Sequence, residues 1–298
     1  MIITDITGIG DPQILLHDNT YYCYATSHPH GFRVWTSQDL VHWSAPQLCM
    51  EADESHWGFE CFWAPEVVYH NGVFLMHYTA RRKTDCSLRI GVAQSSSPLG
   101  PFIDVHGAPM FDEGYAAIDG SVLSFNGMHY LYYSRDCSEN RIDGIPTSQI
   151  YCVQLDESLT RTVGTHHLLT TPEHPWERRS LDINHLWNEG PCVIAWEDRL
   201  IMNYSANCYA SNAYSICIAE ADAPLGPFRK CTEANPVLCA REGLFGAGHN
   251  AFFRSKDGML MTAFHVQSDP EHPSGNRRVC IGTVSLRREN GVILQEIL

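Results

Sequence analysis

The chain has 298 residues, 44% of them hydrophobic and 18% charged, enough to bury a large core in one or two domains. Its 34 acidic side chains outnumber 20 basic ones, for a net charge of −14. That balance argues against nucleic acid, whose phosphates need clustered Lys and Arg, and against polyanionic substrates; a small neutral ligand fits better.

No stretch reaches the roughly 20 apolar residues of a membrane span. The start, Met1-Ile2-Ile3-Thr4-Asp5, lacks the basic segment of a secretory leader, so no membrane contact and a cytoplasmic location are expected. The 12 cysteines then read as reduced thiols, several of them small buried hydrophobes within strands. Without CxxC pairs, a structural zinc site has no support.

In chain order, the first strand–turn–strand unit opens at Asp11-Pro12, turns at His17-Asp18-Asn19 and ends in Tyr21-Tyr22-Cys23-Tyr24. The second opens at Ala64-Pro65 and turns at Asn71-Gly72. The third opens at Ile118-Asp119-Gly120 and turns at Asn126-Gly127. A longer gap follows, predicted to hold extra loop at Asp136–Pro146 and Thr171–Asn184. The fourth unit opens at Asn188-Glu189-Gly190-Pro191 and turns at Glu197-Asp198; the fifth opens at His249-Asn250 and turns at Asp257-Gly258. Asn-Gly and Asp-Gly are strong hairpin signals, since both central residues of such a turn need positive φ.

A constant offset of 126 residues carries Pro65, Val67, Met76 and Tyr78 onto Pro191, Val193, Met202 and Tyr204. The same offset carries Pro98-Leu99-Gly100-Pro101-Phe102 onto Pro224-Leu225-Gly226-Pro227-Phe228. Such self-similarity marks duplicated supersecondary units. Five units, spaced about 53 to 70 residues apart, predict an all-β, five-bladed β-propeller. Residues 1–298 would form that single domain, with no appended β-sandwich.

In a propeller the first strand of each blade lines the central channel, so Asp11, Asp119, Glu189 and His249 would meet there. Carboxylates crowded together raise one another's proton affinity. Cleavage of a glycosidic bond needs such a pair: one acid protonated to donate to the leaving oxygen, one ionised to activate water or attack. Taken singly, Asp-Pro, Asp-Gly and Glu-Gly-Pro are ordinary turn dipeptides. Their common place in a repeat, ahead of hairpin turns already identified, favours an active site.

These motifs, with Ser37-Gln38-Asp39-Leu40-Val41-His42-Trp43, Trp63-Ala64-Pro65-Glu66-Val67, both Pro-Leu-Gly-Pro-Phe segments and Gly248-His249-Asn250, resemble glycoside hydrolase family 43 over essentially the whole chain. The resemblance implies inverting hydrolysis with Asp11 as general base, Glu189 as general acid, and Asp119 holding Glu189 and raising its pKa. It also implies an arginine near the sugar, Arg277 or the adjacent Arg278. His249 near the axis would hold a water or a structural calcium ion; a metal-free, hydrogen-bonded histidine is the competing reading, and no cofactor is required. Trp63 is the candidate sugar platform, with ordinary blade packing as its rival role. His28, His56, His185 and His265 are candidates for the rim, as is the segment Glu51–Phe62. The expected activity is exo-acting release of pentose, α-L-arabinofuranose ahead of β-xylose, from plant-derived oligosaccharides. A non-catalytic carbohydrate-binding propeller is the alternative, and the lack of HExxH speaks against a metallohydrolase.

Overall fold

Alternating apolar residues between turn signals make more than half of the chain strand. A computed structural model describes residues 1–180, 184–241 and 243–298. Its strands fall into five consecutive groups. The first holds β1 (Ile2–His17), β2 (Thr20–His28), β3 (Gly31–Ser37) and β4 (Gln47–Glu51). The second holds β5 (Gly58–His70), β6 (Val73–Arg82), β7 (Leu88–Ser95) and β8 (Ile103–Asp104). The third holds β9 (Ala117–Phe125) and β10 (Met128–Arg135), then a small hairpin of β11 (Arg141–Ile142) and β12 (Ile145–Pro146), then β13 (Gln149–Leu155) and β14 (Thr162–Thr170). The fourth holds β15 (Asn188–Trp196), β16 (Arg199–Ala206), β17 (Ser215–Ala221) and β18 (Arg229–Lys230). The fifth holds β19 (Gly248–Arg254), β20 (Leu260–Gln267), β21 (Arg277–Glu289) and β22 (Val292–Ile297).

Within each group the strands pair antiparallel, and each expected hairpin lies between a group's first two strands. The first and last groups share one eight-stranded sheet because β1 pairs on two sides. Its Ile2–Ile9 half pairs with β21, and its Gly10–His17 half pairs with β2. The innermost strands pack in cyclic order: β1 on β5, β5 on β9, β9 on β15, β15 on β19, and β19 on β1.

The core is divided to match. Tyr24, Phe32, Phe62 and Tyr78 fill the space between groups one and two; Ile90, Leu131 and Val153 do so between two and three. Tyr132, Trp176, Met202 and Tyr204 join groups three and four, Ile216, Phe264 and Cys280 join four and five, and Ile9, Trp35 and Val279 join five and one. Every sheet thus buries both faces against its neighbours, which explains the short apolar runs.

The long gap before the fourth group is more ordered than expected. Its first half carries the β11–β12 hairpin, and Pro175–Glu177 form a single 3-10 turn. The end of the predicted Thr171–Asn184 loop, residues 181–183, lies outside the described residues.

Candidate active site

Each innermost strand carries a bulge at one equivalent point, marked by a break in register against its partner. The bulge residue has positive φ in all five: Asp11 (54°), Ala64 (46°), Asp119 (60°), Gly190 (56°) and His249 (46°). Four are not glycine, and such backbone costs about 1–3 kcal/mol each. Bulges of this kind redirect a side chain without ending the strand. Glu189 therefore sits one residue earlier than the equivalence with Asp11 and Asp119 suggests. Gly190 occupies the bulge position, and Glu189 aligns with Gly10, Trp63, Ile118 and Gly248.

The strained backbone is held by a second repeated feature. Opposite the residue before each bulge, the second strand presents Thr26, Thr79, Ser134, Ser205 or His265. Each accepts a hydrogen bond from the bulge N–H of the next group. Ala64 N donates to Thr26 Oγ1 (2.8 Å), Asp119 N to Thr79 Oγ1 (3.1 Å) and Gly190 N to Ser134 Oγ (3.1 Å). His249 N donates to Ser205 Oγ (2.7 Å), and Asp11 N to His265 Nδ1 (3.1 Å), which completes the circuit. Two hydroxyls also donate to their own group's carboxylate: Thr26 to Asp11 Oδ2 (2.6 Å) and Ser134 to Asp119 Oδ2 (3.1 Å).

The three carboxylates live in opposed electrostatic settings. Burial pushes Asp11 up, but the guanidinium of Arg277, with His249, His265 and the Thr26 hydroxyl, outweighs it and holds the carboxyl well below the usual range. Arg277 Nη1 lies 3.0 Å from Asp11 Oδ1, and His249 Nδ1 lies 3.4 Å from the same oxygen. Burial raises Glu189 well above its ordinary value, and the Asp119 charge adds to this; the Tyr214 hydroxyl, donating to Oε1 at 2.9 Å, partly opposes it. Burial raises Asp119 to about 6, opposed by His249 and reinforced by Asp11. Asp119 Oδ2 also accepts the Gly190 N–H at 3.1 Å, which ties it to the backbone beside Glu189.

Two glycines make room for this cluster. A side-chain carbon on Gly10 would overlap the Arg277 guanidinium, and one on Gly248 would overlap the Tyr214 ring. Beside Asp11 opens a cavity of about 290 Å³, lined by Gly10, Thr26, His28, Cys61, Trp63 and Arg277 among others. A second, small chamber of about 20 Å³, room for about one water, is lined by Asp11, Gln13, Glu66, Asp119, His249 and Asn250 among others.

Asp11, Asp119, Glu189, His249 and Arg277 thus meet at one site, with Trp63 on the cavity wall. Between the two candidate arginines, Arg277 is the one that reaches Asp11. Several rim candidates lie elsewhere. His265 is wholly buried beneath Asp11, and His56 is packed among Trp57, Phe62 and Tyr78, with Nε2 2.9 Å from the Tyr78 hydroxyl. His185 stacks on Trp187, and of the four only His28 lines the cavity. The Glu51–Phe62 segment turns Trp57 and Phe62 inward, where they complete the core between groups one and two. Sequence reasoning missed Tyr214, Thr26, Ser134 and Ser205. The 126-residue offset relates Thr79 to Ser205 and was the available signal.

A calcium ion takes six to eight oxygen ligands. Asp11 is engaged by Arg277 and Thr26, and both ends of the Gln13 amide bond the Val67 backbone. Among the described residues no group of three or more His, Cys, Asp or Glu is arranged to hold a metal.

Comparison with known proteins gives this site a family. The profile "Glycosyl hydrolases family 43" matches residues 7–292. A solved thermostable family-43 glycoside hydrolase is 43% identical, superposes with a TM-score of 0.91, and is covered over 98% of this chain and 94% of its own. The chain belongs to glycosyl hydrolases family 43. It is 26% identical to α-L-arabinofuranosidase 43 of Humicola insolens over 84% of this chain and 52% of that protein. It is 25% identical to an extracellular exo-α-(1→5)-L-arabinofuranosidase of Streptomyces avermitilis, again over 84% and 52%. The chain therefore spans about half the length of these curated relatives. No described helix is long and apolar enough to cross a membrane.

Proposed function

We propose that this protein is an inverting, exo-acting glycosidase that releases α-L-arabinofuranose from small neutral plant-derived oligosaccharides. The whole chain is taken as one five-bladed propeller, each strand group a blade and the inner strands its channel. Asp11 is the general base that deprotonates water, Glu189 the general acid that protonates the leaving oxygen, and Asp119 the residue that keeps Glu189 protonated and placed. Arg277 and Trp63 contact the sugar, and His249 supports the base. The mechanism requires no cofactor.

One observation carries this reading: two carboxyls of one site are pushed in opposite directions, Asp11 towards the ionised form by Arg277 and Glu189 towards the protonated form by burial and Asp119. Divergent proton affinities of this kind separate a base from an acid. The arabinofuranosidase names of the relatives support arabinose over xylose. The cytoplasmic expectation draws no support from them, since one of those names is extracellular.

NMR of the first-formed anomer from an arabino-oligosaccharide tests the chemistry: inverted configuration is expected, and retention would refute the role of Asp11. Assays on aryl arabinofuranoside and aryl xyloside with one preparation separate arabinofuranosidase from β-xylosidase. Asp11→Asn and Glu189→Gln should each lower kcat/KM on oligosaccharides by about 10²–10⁴-fold. If neither variant loses activity on any glycoside, the assignment falls.

A further inference from the structure

Four of the five second-strand positions that hold the bulges carry a hydroxyl: Thr26, Thr79, Ser134 and Ser205. The fifth is His265. Its Nδ1 accepts the Asp11 N–H at 3.1 Å, so the ring proton sits on Nε2. A threonine would serve that bond alone. The imidazole adds a flat face, and on it lies the Tyr214 ring, 5.5 Å away and only 5° from parallel. Tyr214 in turn donates its O–H to Glu189 Oε1 at 2.9 Å. Gly248 leaves the space the ring occupies. Tyr214 and His265 are both fully buried.

We propose that Tyr214 and His265 are positioning residues forming a stacked bridge, which sets the proton donor Glu189 and the backbone of the base Asp11 relative to each other. The proposal rests on the roles given above to Asp11 and Glu189. The bridge explains why one repeat departs from the hydroxyl used by the other four: only this position lies between the acid's hydrogen-bond partner and the base's backbone. Tyr214 also favours the ionised form of Glu189, against the pull of the other groups facing it. Those are Asp119 and Asp136 above all, then Asp11, with Cys137, Cys208 and Tyr209 around the same carboxyl.

The test compares Tyr214→Phe, His265→Thr and the double variant. Tyr214→Phe removes one oxygen and keeps the ring; His265→Thr restores the hydroxyl of the other repeats and keeps an acceptor for Asp11 N. On an arabino-oligosaccharide, whose leaving group needs protonation, each single variant should lose at least about tenfold in kcat/KM. On an activated aryl arabinofuranoside Tyr214→Phe should lose far less, and its alkaline pH limb should move to higher pH. The double variant should lose less than the product of the single losses, because both act through one contact. A Tyr214→Phe enzyme with the parent's pH profile and leaving-group dependence, or losses that simply multiply, would overturn the bridge. If Glu189→Gln is inactive on oligosaccharides while Tyr214→Phe is unaffected, only the bridge fails. If Glu189→Gln is fully active, the assignment of the acid fails instead.

Discussion

At the scale of single residues, the site works by giving like groups unlike neighbours. Asp11 and Glu189 are both carboxyls near one axis, yet one faces a guanidinium and the other a phenol and a second acid. Arg277 is the residue that breaks the symmetry. Replacing it with Met removes the charge beside Asp11 and lets burial dominate, so the proton affinity of the base rises. The sign follows: Asp11 must be ionised to act, so the acid limb of the kcat/KM profile should move to higher pH. A pH–rate profile of Arg277→Met checks this; an unmoved acid limb would separate Arg277 from the base. Glu66 is pushed up to about 7, by burial first, against the Val122 N–H and the Ser121 hydroxyl. It lines the small chamber that Asp11 and Asp119 also line, and stands in the sequence only as part of a strand motif.

At the scale of elements, the acid's strand is anchored by a buried ion pair outside the site. Lys230 Nζ on β18 lies 2.6 Å from Glu177 Oε1 and 2.8 Å from Asn188 Oδ1, the residue before Glu189. The Tyr204 hydroxyl donates to the same Glu177 oxygen at 2.8 Å. Burial raises Glu177, but Lys230 and the backbone N–H groups of His174 and Glu173 outweigh it and lower its pKa. A depressed carboxyl contributes stability above its unfolded value and loses it as pH falls through the folded one. Lys230→Met leaves that carboxylate buried without its cation and should cost about 3–5 kcal/mol at neutral pH. The deficit should shrink on acidification, as urea unfolding at two pH values would show. An equal loss at both pH values would mean that packing, not charge, sets the cost.

For the whole molecule, β1 ties the first strand group to the last. Its first half lies beside β21 and its second half beside β2, so one continuous strand joins the two ends of the chain. Ile6 and Ile9 are buried in the cluster between the first and fifth groups, and Thr4 Oγ1 donates to Val279 O at 3.0 Å. Removing residues 1–9 would uncover the edge of β21 and take Ile6 and Ile9 out of that cluster. The expected result is a loss of about 2–5 kcal/mol, the scale of deleting buried aliphatic side chains, with a tendency to aggregate through the freed edge. Thermal unfolding and light scattering of the shortened protein measure both, and an unchanged midpoint would show that the joint between the first and last groups does not depend on this strand.

Much of this organisation was legible in the sequence because it is local or periodic. Asn126-Gly127 and Asp257-Gly258 mark turns through the φ values those residues tolerate, and the 126-residue offset exposes the repeat without any contact being known. Asp11, Asp119, Glu189 and His249 could be named because each opens a repeated strand unit, whereas Arg277 could be named only through the family resemblance. Two things were decided only by the folded chain. The one-residue step that places Gly190 rather than Glu189 in the bulge depends on register, and register is set by pairing between strands. The partnership of Tyr214 with His265, fifty-one residues apart, depends on packing between neighbouring sheets, which no local pattern encodes. A turn's chemistry is written in adjacent residues; a proton's environment comes from whichever distant side chains the fold brings within a few ångströms.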